Sequence, residues 1–172
     1  SSKNYVSYSS IVYCQNTITY SSSTFRFYYG KIWFSSVNSS MNKCYYYSVI
    51  ACWPFKDLNF VTCSFSYSSF ADNNAAGYTC LLLWKTGANY EIKSCNILRN
   101  IQGSLGADGT ICSVGNVMIK DSCILENIVT YVFRQSSSYT FTLSNCTVDT
   151  ISNNGYLTTQ NTVTKSFILA LN

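Results

Sequence analysis

The stretch "YEIKSCNILRNI", residues 90–101, is nearly repeated as "VMIKDSCILENI", residues 117–128. Both run apolar residue, short polar bend, cysteine, apolar residue, and the same template recurs along the chain. It links Ile11 to Cys14, Met41 through Cys44 to Tyr46, Phe60 through Cys63 to Phe65, and Ile92 through Cys95 to Ile97. It continues with Ile119 through Cys123 to Leu125, Leu143 through Cys146 to Val148, and a degenerate copy from Thr164 through Phe167 to Leu169. The anchors Cys14, Cys44, Cys63, Cys95, Cys123, Cys146 and Phe167 lie on the order of 25 residues apart, the period of a solenoid coil.

A fainter ladder half a period upstream carries Cys52, Cys80 and Cys112. Each unit then reads as three short strands with one tight bend and one longer polar loop, such as "SYSSFADNNAAG" or "RNIQGSLGADG". A lone coil cannot bury its own apolar side chains, but stacked coils make a continuous column of them. The spacing from Cys to its apolar partner obeys the strand period of two and puts both on the inner face. The expectation is an all-β fold, a right-handed parallel β-helix of about seven coils, in a single domain over residues 1–172. Both cysteine ladders point inward in this reading, and Asp121 makes the second twin's bend one residue longer. Aligning the twins from their shared ends instead pairs Cys123 with Asn96. A sandwich needs no repeated anchor beside a bend, and a propeller blade is too long for this period.

Composition agrees with β-structure: 47% of residues are hydrophobic, only 10% are charged, and a single proline leaves the strands uninterrupted. The net charge of +4 comes from scattered Lys and Arg, which argues against a nucleic-acid partner. No apolar block approaches the roughly 20 residues of a membrane-spanning helix. The chain opens on Ser1 without a signal peptide, which suggests a processed product or a segment of a longer repeat protein. Nine cysteines show no C-x-x-C spacing and there is no histidine, so neither a metal nor another cofactor is expected. Buried, reduced thiols acting as small core residues suit either the cytosol or a surface location.

The repeats resemble the right-handed parallel β-helix, or pectate-lyase-like, superfamily, and look most like polymorphic-membrane-protein-type surface adhesins. Those carry many F-x-x-N motifs; Phe70-Ala71-Asp72-Asn73 matches outright, and Ile97 to Asn100 and Ile124 to Asn127 match with Ile for Phe. "NNAAGYT" and "GADGTI" are loose counterparts of the family's glycine turn. The resemblance implies an extracellular or cell-surface rod that adheres or assembles.

The superfamily also contains enzymes acting on acidic polysaccharides, which need convergent carboxylates. The seven acidic residues form no Asp-Asp pair and no N-x-D triplet. Asp121, Glu126 and Arg99 are the nearest approach to a lyase set, and solvated turn residues explain them as well. The expectation is therefore no catalytic residue, with a polysaccharide-binding or polysaccharide-degrading β-helix as the alternative. Tyr28, Tyr29, Tyr45 and Tyr47 are candidates for an aromatic contact surface toward carbohydrate or protein. Asn38 and Asn145 head glycosylation sequons. Thr140, Thr142, Thr147, Thr150, Thr158, Thr159, Thr162 and Thr164 hint at an ice-binding face without a regular T-x-T. Copies of the chain itself, stacked end to end, are the remaining candidate partner.

Overall fold

A computed structural model of the chain describes residues 2–16, 23–45, 48–75, 80–103, 108–136 and 138–165. Every strand pairing among them is parallel, and each strand pairs with its counterpart one turn away, so the fold is a parallel β-solenoid. Four faces surround the core. Face one holds Val61–Ser66, Asn89–Lys93, Asn116–Lys120, Thr140–Ser144 and Tyr156–Gln160. Face two holds Ser69–Ala71, Asn96–Leu98, Cys123–Leu125, Thr147–Val148 and Val163–Thr164. The long strands Lys3–Val12 and Lys31–Ser40 run through both, making one bent 12-stranded sheet. Face three has Gln15–Asn16, Lys43–Cys44, Asn74–Ala75 and Ile101–Gln102; face four has six strands from Phe25–Tyr28 to Asn153–Asn154.

All faces are hydrogen-bonded through about five turns, the fifth closing on face three by a single bridge from Ile101 to Ile128. Beyond it only some faces continue among the described residues, so the seven repeats in sequence yield fewer complete coils there. The polar stretches expected to be long loops are partly strand: Ser69–Ala71 and Asn74–Ala75 lie within the first, and Ile101–Gln102 within the second.

The core is a set of ladders of like residues. On face one Ile32, Cys63, Tyr90, Val117 and Phe141 stack in register, and beside them Phe34, Phe65, Ile92, Ile119 and Leu143. All ten are essentially inaccessible to solvent. Face two adds Phe70, Ile97, Ile124 and Val148. The Phe34 and Phe65 rings stack 4.8 Å apart, and Phe65 meets Phe70 edge-on across the core at 5.6 Å. Rung spacing of ~4.8 Å between parallel strands brings matching side chains into van der Waals contact.

The two turns around face two are built alike. One residue at each adopts a left-handed conformation: Tyr8, Ser36, Tyr67, Ser94, Asp121, Asn145 and Asn161 at the first corner, and Tyr13, Met41, Asp72, Arg99 and Glu126 at the second. A single such residue turns the strand without an insertion. Asp121, with φ +51°, is therefore the counterpart of Ser94, with φ +53°, and does not lengthen the bend. Asn96 pairs with Cys123, so the alignment from the shared ends describes the fold and the one that matched Cys95 to Cys123 does not.

Corner ladders, cysteines and candidate surfaces

The expected cysteine columns do not form. Past the first corner, Ser9, Ser68, Cys95, Ser122, Cys146 and Thr162 occupy equivalent positions, and each side chain donates to the carbonyl two residues back. The distances are 2.7–2.8 Å for the serines, 3.2 Å for Thr162 and 3.3 Å for the two thiols. Val37, buried at the same position after Ser36, shows that a small side chain suffices there; the other turns add a γ donor, which cysteine and serine both supply. Cys123 falls one residue later and faces outward between Asn96 and Thr147. Cys63 belongs to face one beside Ile32 and Tyr90, and Cys44 to face three beside Asn16 and Ala75. Phe167 lies outside the described residues.

The second set is equally dispersed. Cys52 points into the core between Phe27 and Leu83. Cys80 is buried just before the strand Leu81–Leu83. Cys112 sits on the outer side with Ala51 and Leu82, under Trp53 and Trp84. All nine thiols are free. Burial raises the Cys95 thiol to about 11 and Cys112 to about 12, and pushes Cys63 and Cys80 well up. Inert thiols follow, since the thiolate is the nucleophile. With a thiol-specific colorimetric reagent under native conditions, only the half-buried Cys14 and Cys123 should react quickly. Fast labelling of Cys63 or Cys80 would contradict this burial.

The feature that replaces the cysteine column is an asparagine ladder behind the second corner. Asn42, Asn73, Asn100 and Asn127 are buried on consecutive turns. Each Oδ1 accepts the backbone N–H of its predecessor, from Cys14 to Asn42 at 3.0 Å, then 3.1, 3.2 and 3.1 Å along the ladder. Each Nδ2 donates to the preceding turn, to Ile11, Ser39, Phe70 and Ile97 carbonyls at 2.9–3.0 Å. The first three also donate to the next Asn Oδ1 at 2.9–3.0 Å. This is the structural meaning of the F-x-x-N repeats: an inward apolar residue, the turn, then an amide that satisfies the corner's backbone. Cys14 stands at the same position in the first turn, and Ser39 to Asn42 supplies a copy that the motif does not reveal.

Outside the ladder, the second corner exposes Asp72, Arg99 and Glu126 around a cavity of about 560 Å³ that also touches Ile101, Asn127 and Ile128. Arg99 is bidentate on Asp72 at 2.7 and 2.9 Å. Asp121 lies at the other corner, bonded to Asn145 Nδ2 at 2.7 Å, so the suggested set of Asp121, Glu126 and Arg99 is not brought together. The Arg99 guanidinium holds the Asp72 carboxyl below the usual carboxylate range. Its folded pKa is thus lower than its unfolded one, so the pair stabilises above the unfolded value of about 4 and fades as pH falls through the folded value. With side chains 43% and 40% exposed, the contribution is under about 1 kcal/mol. Asp72→Asn should lower the urea midpoint slightly at pH 7 and not at pH 2; a large loss at both would assign Asp72 another role.

The other carboxylates also have partners in the fold. Glu91 pairs with Lys120 at 3.3 Å, and Asp108 pairs with Arg134. Asp57 accepts the N–H groups of Asn59 and Phe60, and Asp149 accepts that of Glu126. Among the described residues no three His, Cys, Asp or Glu gather as a metal site.

Of the tyrosine candidates, Tyr29 is 76% exposed, and Tyr28 stacks on Trp53 at 4.8 Å with Arg26 over the same indole at 5.2 Å. Tyr45 is partly exposed, and Tyr47 lies outside the described residues. Asn38 and Asn145 both reach solvent near the first corner. Thr142 and Thr158 align and hydrogen-bond at 3.1 Å, but the outward row they share continues through Met118, Glu91, Ser64 and Trp33. No described helix is long and apolar enough to cross a membrane. Compared with known proteins, the chain matches no family model, no curated relative and no solved structure.

Proposed function

We propose that this chain is a non-catalytic β-solenoid rod, a spacer that presents its outer faces for adhesion or for end-to-end assembly at a cell surface. The observation that carries the reading is the use of the charged groups. Asp57, Asp72, Glu91, Asp108, Asp121 and Asp149 each hold a loop, a neighbouring turn or a cation of the fold, whereas catalysis needs carboxylates aimed at a common point. The F-x-x-N repeats favour an adhesin of the polymorphic-membrane-protein type within the pectate-lyase-like superfamily. Their asparagines support the backbone of the rod, which fits a repeat kept for shape.

Assembly has its own support. Among the described residues, Lys3–Val12 pairs on one side only, with Lys31–Ser40, and exposes Tyr5 and Tyr8, with Tyr13 exposed just after it; Tyr156–Gln160 at the opposite end is also paired on one side among them. Unpaired parallel edges accept a further strand, and head-to-tail contacts between copies do not close on themselves. Size-exclusion light scattering across a concentration series should show growth beyond the monomer mass. A constant monomer mass at high concentration would sink the assembly part of the proposal.

A further inference from the structure

Where face one turns into face two, three consecutive corners leave an open trough of about 390 Å³ running along the axis of the rod. Ser36 and Asn38 come from one turn, Tyr67 and Ser69 from the next, Ser94 and Asn96 from the third. Ser36, Tyr67 and Ser94 are left-handed corner residues, and Asn38, Ser69 and Asn96 are in register on face two. The trough is thus two polar rows repeating once per rung, at ~4.8 Å.

These groups are also unspent. Ser68, on the wall behind, accepts the Val37 N–H at 3.1 Å and donates to the Ser66 carbonyl at 2.8 Å. By contrast, the side chains of the six trough residues make no hydrogen bond among the described residues. Tyr67 is 66% exposed, leaving a ring face beside them. None of the six carries a charge at neutral pH. Amides and hydroxyls offer donors and acceptors together, and an aromatic face packs against the C–H face of a sugar. A pyranose unit in an extended chain is close to one rung in length.

The geometry points to a binding site for an uncharged linear polysaccharide, lying in this trough parallel to the solenoid axis with one sugar per turn. It deepens the role as a presenting rod and rests on that reading. Asn38 belongs to a sequon, and a glycan attached there would fill the trough, so the binding form is the one unmodified at Asn38.

The test is calorimetric titration of the full chain, produced in bacteria without glycosylation, with linear β-1,4-glucan and β-1,4-mannan hexasaccharides and an oligogalacturonate of equal length. Saturable binding of a neutral hexasaccharide is expected, unchanged by added salt. Asn96→Ala and Tyr67→Ser should each weaken it about tenfold, the loss of roughly one good polar or stacking contact. Asn154→Ala, exposed on face four, should leave it unchanged, and circular dichroism checks that each variant is folded. Failure of both neutral oligomers to bind overturns the trough, as does binding confined to the oligogalacturonate and abolished by salt, or binding that survives both trough variants. Those failures leave the rod standing. Cleavage of a bound neutral oligomer would do the reverse, overturning the non-catalytic reading and sparing the trough.

Discussion

Asn100→Ala is expected to cost about 4 kcal/mol of folding stability, a large part of the 5–15 kcal/mol typical of a domain. The Asn100 Oδ1 accepts both the backbone N–H and the Nδ2 of Asn73, and its Nδ2 donates to the Phe70 carbonyl and to Asn127. Removing the amide strands two donors and one carbonyl in a place fully closed to water. Each orphaned group costs about 1–3 kcal/mol. Asn100→Asp should be worse near neutral pH, because a carboxylate can accept from Asn73 but faces the Phe70 carbonyl and Asn127 Oδ1 without a proton to give. Burial raises that carboxyl's folded pKa above its unfolded value. The variant should therefore be more stable in mild acid and lose stability as pH rises through the raised pKa. Urea midpoints across pH measure both effects, and an Asn100→Ala loss below about 1 kcal/mol would mean the ladder is not fully buried.

Phe65→Ala should destabilise by about 4 kcal/mol, in the range for deleting a fully buried aromatic side chain. Its ring stacks on Phe34 and meets Phe70 edge-on, so it joins faces one and two across the core at one level of the rod. The cavity is confined between rigid rungs, which limits relaxation. Phe65→Leu, which keeps much of the volume, should cost less than half as much. Equal losses for the two variants in urea unfolding would mean that ring contacts, not filled volume, set the stability of this level.

The stacked architecture was legible because parallel rungs place like on like: Ile92 over Ile119, and Ile97 over Ile124. The phase of the repeat was harder to read. A left-handed corner is set by backbone geometry, and Tyr67, Ser94, Asp121 and Asn145 all occupy it, so no residue type marks it. Cysteine made a misleading anchor because the position past the corner asks only for a small side chain, which Val37 supplies with no donor at all. Ser122 meets that need as well as Cys95 does, which moved Cys123 out of the column assigned to it. The asparagines were visible as a motif, but their role emerged only once Phe70, Asn73 and Asn100 stood on adjacent turns. The polar trough had no motif of its own. Ser36, Asn38, Tyr67 and Asn96 are ordinary residues in sequence and become a site only by stacking.

The central claim, that the repeats build a rod and not a duplicated active site, is tested most directly by a turnover assay. The protein, in excess, is incubated with linear neutral and uronic-acid polymers while new reducing ends and unsaturated products are followed. The account predicts no product above the protein-free rate for any polymer. Product formation that disappears in Asp72→Asn or Glu126→Gln, with the fold intact by circular dichroism, would contradict it and make the second corner a catalytic site.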